Sequence, residues 1–146
     1  MNDLKEVKGD LLSVKRGIIV HGCNAQGIMG GGVAALIKRK WPRAYEEYCI
    51  VHKHCGLQLG QVLFVEVEPF LVVANMITQE GFSDGVDTDY DAIQDGFRTV
   101  AEWGKHHDLP IHYPKVGSGI GGGEWDIIYD IIQDELADMD HTLWVL

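Results

Sequence analysis

Two kinds of hydrophobic pattern alternate along the chain. Gly17-Ile-Ile-Val-His21 is a short apolar run, rich in β-branched residues, that passes at once into glycines, as a buried strand entering a loop does. Behind those glycines the period becomes that of a helix. Val33, Leu36 and Ile37 share one face of Val33 to Lys40, and Pro42 suits the first turn of a second helix in which Tyr45, Tyr48, Cys49 and His52 share a face. Gln61 to Val67 and Phe70 to Asn75 read as strands joined by a hairpin turn at Glu68-Pro69, and therefore as antiparallel neighbours. After a polar stretch from Gln79 to Asp89, the spacing of Ile93, Phe97, Val100 and Ala101 predicts an amphipathic helix starting near Thr88 or Asp89. Ile111 to Val116 is a further short strand. Trp125, Ile128, Ile132 and Leu136 mark a last helix, with Asp126, Asp130 and Asp134 on another face, and Thr142 to Leu146 is the closing strand.

Strands alternating with helices predict an α/β fold of three layers, α/β/α, with a mixed central sheet and helices on both faces. A length of 146 residues fits one domain, 1–146. Hydrophobic and charged fractions of 46% and 23% are those of a folded chain, and glycine alone is out of proportion. Ten of the 18 glycines fall in two runs, Gly22 to Gly32 and Gly117 to Gly123. Each run follows a predicted strand and precedes a predicted helix, and in layered α/β folds ligands bind at the carboxyl ends of strands.

Charge narrows the partners. The net charge is −10, whereas duplex nucleic acid is normally met by a basic surface, so duplex DNA is not an expected partner. The charge is also uneven: residues 1–60 carry nine Lys and Arg against five Asp and Glu, so the acidic excess lies in the remainder. No stretch reaches the ~20 apolar residues of a membrane span and the amino terminus lacks a signal-peptide core, so a cytoplasmic protein without a membrane partner is expected. Three cysteines, Cys23, Cys49 and Cys55, without a C-x-x-C pair fit reduced thiols and no zinc site. No cofactor or metal is expected.

Three consecutive glycines at a helix start let a ligand approach the backbone, and the helix amino end offers N–H groups with partial positive charge. The first loop, His21-Gly-Cys-Asn-Ala-Gln-Gly-Ile-Met-Gly-Gly-Gly-Val33, is thus an anion site, and Gly117-Ser-Gly-Ile-Gly-Gly-Gly123 has the same chemistry. Side by side they would grip both phosphates of a diphosphate without lysine; the alternative is that the glycines only make tight turns. Gly117, Gly119 and Gly122 also match G-x-G-x-x-G, but that dinucleotide fingerprint wants a strand ending in an acidic residue about 20 positions on, and the sequence ends at Leu146. His54-Cys55 lacks the arginine of a cysteine-phosphatase loop, since Gln61 stands there.

Gly9-Asp10-Leu11, then Asn24 with Gly30-Gly-Gly-Val-Ala34, then Gly117-Ser-Gly-Ile120 follow in the order and spacing of macrodomains, which this sequence resembles over nearly its whole length. His21-Gly-Cys-Asn24, Ile28-Met29 and Gly119-Ile-Gly-Gly-Gly-Glu-Trp125 look most like the branch that removes phosphate from ADP-ribose 1''-phosphate. The resemblance implies a three-layer macrodomain whose partners are ADP-ribose and ADP-ribose 1''-phosphate. It implies that Asp10, with Leu11, receives adenine, that Gly30, Gly31, Gly32 and Val33 with Gly117, Ser118, Gly119, Ile120 and Gly121 hold the diphosphate and distal ribose, and that Asn24 orients the ribose hydroxyls at the reacting end. Macrodomains that cleave ADP-ribose from glutamate use a lysine and an aspartate, and the matching positions here are Gln79 and Gly121.

Metal-free hydrolysis of a phosphomonoester needs a nucleophile or base, donors for the phosphate oxygens and a proton for the leaving group. His21 is the leading candidate, because it ends a buried strand at the glycine loop, has an ordinary pKa near ~6.5 and matches a histidine held to be catalytic in the phosphatase branch. Among Asp84, Asp87 and Asp89, the expected partner acid is Asp89, beside the helix start; capping and solvation are the competing roles. Cys23 has no basic neighbour in sequence to lower its pKa. The expected protein is a monomeric phosphatase, against a module that binds ADP-ribose without chemistry, a hydrolase of another ADP-ribose derivative, or a nicotinamide-dependent oxidoreductase.

Overall fold

Because both faces of its central strands are covered, the sheet is apolar in runs and not in alternation. The structure, a computed structural model, describes residues 5–81, 88–118 and 122–146. Strands β1 (Lys5–Lys8), β2 (Gly17–Asn24), β3 (Val62–Glu68), β4 (Leu71–Gln79), β5 (Ile111–Tyr113) and β6 (His141–Val145) form a six-stranded sheet in the order β1-β6-β5-β2-β4-β3. All neighbours are parallel except β3 and β4. Helices α1 (Gly32–Lys40) and α2 (Pro42–Cys55) cover one face, α3 (Tyr90–His107) and α4 (Trp125–Glu135) the other.

Side chains of β2 divide between the two layers. Ile18 and Val20 pack with Val72, Ala74 and Met76 of β4 against Ile93 and Phe97 of α3 and Ile128 of α4. Ile19 points the other way, with Leu71 and Val73, against Ile37 of α1 and Ala44 of α2. Helix α3 lies close on β4: a Cβ at Gly96 would stand 2.6 Å from the Met76 sulfur, so a larger residue there would lift the helix off the sheet.

The mixed three-layer fold is as the sequence predicts, and the differences lie at element ends. β2 and β4 run on to Asn24 and Gln79, paired with each other to their last residues. β5 stops at Tyr113, since Pro114 has no N–H for the ladder. Strand β1 carries no hydrophobic signal because it is an edge strand, exposed throughout and paired with β6. The turn between β3 and β4 is completed by Phe70 at φ 62°. Since β2, β4 and β5 are parallel, their carboxyl ends share one edge, where the chain segments leading to α1, α3 and α4 emerge.

Candidate functional site

Three adjoining cavities form a groove along that edge. The first, about 350 Å³, lies between the Gly9–Leu12 segment, Leu36 and Trp144. Val33, Pro114 and Lys115 border both it and the middle space, about 290 Å³, which lies between Gly31-Gly32 and Val116-Gly117. Gly22, Gly31, Ala34 and Gln79 are shared in turn with the far space, about 310 Å³, which reaches Asn24, Ile28 and Gly30. Among the described residues no carboxylate borders the middle or the far space.

Helix α1 opens toward the middle space. Gly31 is its N-cap, no side chain caps it, and its first turn contains no acidic residue. Asp89 caps α3 through the Ala92 N–H at 2.9 Å, while α2 and α4, like α1, have no side-chain cap; what sets α1 apart is that Gly31, Gly32, Val33 and Ala34 at its start line the middle space. The uncapped amides of α1 are therefore free to bind an anion. Gly32 has φ 58° and open space where a Cβ would be, which lets the chain turn into the helix without walling off those amides.

Asn24 shapes the first loop. Its Oδ1 accepts from the N–H groups of Gln26 (3.0 Å) and Ile28 (3.3 Å), its Nδ2 donates to the Ile28 carbonyl (2.7 Å), and the Tyr48 hydroxyl lies 2.6 Å from its carbonyl oxygen. Of the two amide hydrogens one is thus engaged, and one is left among the described residues. In the second loop the Gly117 carbonyl accepts from the Thr88 hydroxyl (2.6 Å) and the Gly123 N–H (2.9 Å), so the loop is pinned where it leaves and rejoins the fold. Ser118 donates its hydroxyl to the Lys115 carbonyl at 2.8 Å. Gly119, Ile120 and Gly121 lie outside the described residues, as do Asp84 and Asp87. Asp10 and Leu11 stand at the first space, Asp10 exposed and Leu11 buried.

His21 is buried at the floor of the middle space. The residue is 1% exposed, and its imidazole is held on the α2 side of the sheet by Asn75. The Asn75 amide donates to the Ala44 carbonyl at 3.0 Å, so its Oδ1 faces His21 and takes the Nε2 hydrogen at 2.6 Å. Burial pushes the imidazole pKa down from 6.5 to about 4, the Asn75 bond opposing it, so the ring is neutral at pH 7. His21 borders the middle space of the groove, and with its Nε2 hydrogen given to Asn75 the lone pair lies on Nδ1. Asp89 is not brought to His21: it is a helix cap, and an amide, Asn75, orients the imidazole. The Cys23 thiol, 3.6 Å from Nε2, is pushed well up by burial and stays protonated.

Thr78, Gln79, Lys115 and Trp144 were not among the sequence candidates. Lys115 stands two residues before the second glycine run, which was the available signal. Thr78 is fully buried at the end of β4, borders the middle space, and its hydroxyl has no partner among the described residues. It sits where a Cβ at Gly22 would come within 2.9 Å. No group of three or more His, Cys, Asp or Glu among the described residues converges on a metal position.

An α/β/α layered fold with an amide-lined groove at the carboxyl edge of its parallel strands defines a class of ligand-binding domain. Residues 20–132 match the Macro domain family, and the chain belongs to it. It is similar to the ADP-ribose 1''-phosphate phosphatase of Candida albicans, 29% identical over 160 residues, covering 98% of this chain and 99% of that one. A DNA ADP-ribosyl glycohydrolase of Thermus aquaticus is 26% identical over 97% of this chain and 40% of its own length. Among solved structures, a macrodomain protein from Streptomyces coelicolor superimposes with a TM-score of 0.87 at 30% identity, covering 99% of both chains.

Proposed function

We propose that this macrodomain binds ADP-ribose along the groove and hydrolyses ADP-ribose 1''-phosphate to ADP-ribose and phosphate without a metal. The observation that carries this is the uncapped amino end of α1, opening on a space that no carboxylate borders among the described residues. Asp10 accepts the adenine amino hydrogen, the amides of Gly30 to Val33 and of Gly117 to Gly121 hold the diphosphate, and the remaining Asn24 N–H reaches the distal ribose. A chain of net charge −10 can hold a dianion this way because the charges that meet it belong to the main chain, with Lys115 on the rim.

Catalysis here is positioning and electrostatic stabilisation of the phosphate oxygens, with water as nucleophile. His21 acts as a positioning residue, tying the end of β2 to Asn75 and through it to α2. The name of the Candida relative supports the phosphatase over a glycohydrolase, and so does Gln79, which stands where the glutamate-cleaving macrodomains have lysine. The protein works in this scheme as a cytosolic monomer. Among the described residues no helix is long and apolar enough to cross a membrane.

Phosphate release from ADP-ribose 1''-phosphate in the presence of a chelator tests the proposal: multiple turnovers are expected. A second reading, ADP-ribose binding without chemistry, is favoured by one observation, the lack of a carboxylate or histidine bordering the far space among the described residues. Binding of ADP-ribose with no phosphate release would establish that second reading.

A further inference from the structure

Past the far end of the groove, α1 and α2 flank another cavity of about 570 Å³, open to solvent and bordered by Gly30, Lys38, Arg39, Tyr45 and Glu46. Gly30 also borders the far space of the groove, so the two meet at the glycine run. Three basic residues close α1, and a helix dipole accounts for cations at that end. Lys40 has a structural task as well: its ammonium donates to the Leu12 carbonyl at 2.6 Å. The dipole does not account for the other two turning onto one cavity. The Lys38 ammonium lies 4.1 Å from the centre of the Tyr45 ring, and neither Lys38 nor Arg39 is paired with a carboxylate among the described residues. Among the described residues Glu46 is the single acidic one on the cavity border, so that border is net positive within a chain of net charge −10.

We infer that this cavity is an anion subsite that takes a phosphate monoester carried on the distal ribose of the substrate, outside the amide groove. The planar guanidinium of Arg39 suits two phosphate oxygens at once, and Lys38 adds a point charge steadied by the Tyr45 ring. The inference rests on the proposed substrate for its biological meaning, but binding of the anion itself does not depend on turnover. Its consequence is discrimination: a substituent with two negative charges at the ribose gains contacts here that free ADP-ribose lacks.

The test uses inorganic phosphate as probe on the ligand-free full chain, followed by amide NMR, with Lys38→Gln/Arg39→Gln as the variant. Both side chains are exposed, so the variant is expected to fold as the parent does. Phosphate should shift the amides of Gly30, Lys38, Arg39 and Tyr45, and the double variant should weaken this binding at least tenfold. The KM for ADP-ribose 1''-phosphate should rise about tenfold while ADP-ribose affinity changes less than twofold. Shifts confined to Gly117, Ser118 and the first turn of α1, or a variant that binds phosphate as well as the parent, overturn the subsite. So does a short oligonucleotide producing these shifts where inorganic phosphate produces none, since the anion would then be a phosphodiester. A parent protein that binds phosphate at these residues but releases none from ADP-ribose 1''-phosphate refutes the hydrolytic proposal and upholds the subsite.

Discussion

Lowering the pH from 7 to 5 should destabilise this protein through one buried imidazole. His21 is neutral in the fold, with its pKa pushed down from 6.5 to about 4 by burial. A folded pKa below the unfolded one means that the unfolded chain binds the proton first. The stabilisation is therefore complete above pH 6.5 and is lost as the pH falls toward 4. From those two values the full loss is about 3 kcal/mol, and the part lost between pH 7 and pH 5 is about 2 kcal/mol. His112 and His141 are also pushed down by burial, so the wild type alone does not isolate the effect. His21→Gln does: glutamine can donate to Asn75 but does not titrate in this range. Urea unfolding of both proteins at pH 7 and pH 5 should show the wild type losing about 2 kcal/mol more than the variant. A difference below about 0.5 kcal/mol, or an NMR titration of His21 with its midpoint near 6.5, would refute the burial of this ring.

Thr78→Val removes a buried hydroxyl that has no partner among the described residues, and chemical denaturation should show a gain of about 1 kcal/mol. If that hydroxyl meets a ligand oxygen, calorimetry will show weaker ADP-ribose binding in the same, more stable protein. Gly22→Ala places a methyl 2.9 Å from the Thr78 hydroxyl and should cost about 1–3 kcal/mol, a cost that Thr78→Ser does not relieve and Thr78→Ala does. Asp89→Ala removes the α3 cap and should cost about 1 kcal/mol with phosphate release per folded molecule within about twofold of wild type; a tenfold loss with ADP-ribose binding intact would return Asp89 to the reaction.

Much of the groove was legible because glycine position is a backbone property. Gly30 to Gly32 and Gly117 border the groove where strand and helix periodicities placed them. Asp10 came only through the resemblance of Gly9-Asp10-Leu11 to macrodomains, and the structure places it at the border of the first space. The partner of His21 was not legible, since the alternation that buries Ile19 and Cys23 on the α2 side carries His21 with them, and only the fold shows that Asn75 of β4 receives it. Asp89 illustrates a different limit: an aspartate before a helix satisfies capping and catalysis equally in sequence, and the Ala92 hydrogen bond decides. Thr78 gave no signal, because an unpartnered hydroxyl is a fact about its surroundings and not about its residue type.

The central claim is that main-chain amides at the start of α1 hold the anion. Gly31→Asp tests it most directly, because the backbone there is extended, at φ −151° and ψ 167°, and accepts any side chain. Aspartate at this N-cap would bond the same amides itself, raising stability by a few tenths of a kcal/mol, roughly the usual gain over glycine. Calorimetric titration with ADP-ribose should then show one site in the wild type and no measurable binding in the variant. Wild-type affinity retained in a folded Gly31→Asp protein would contradict the claim.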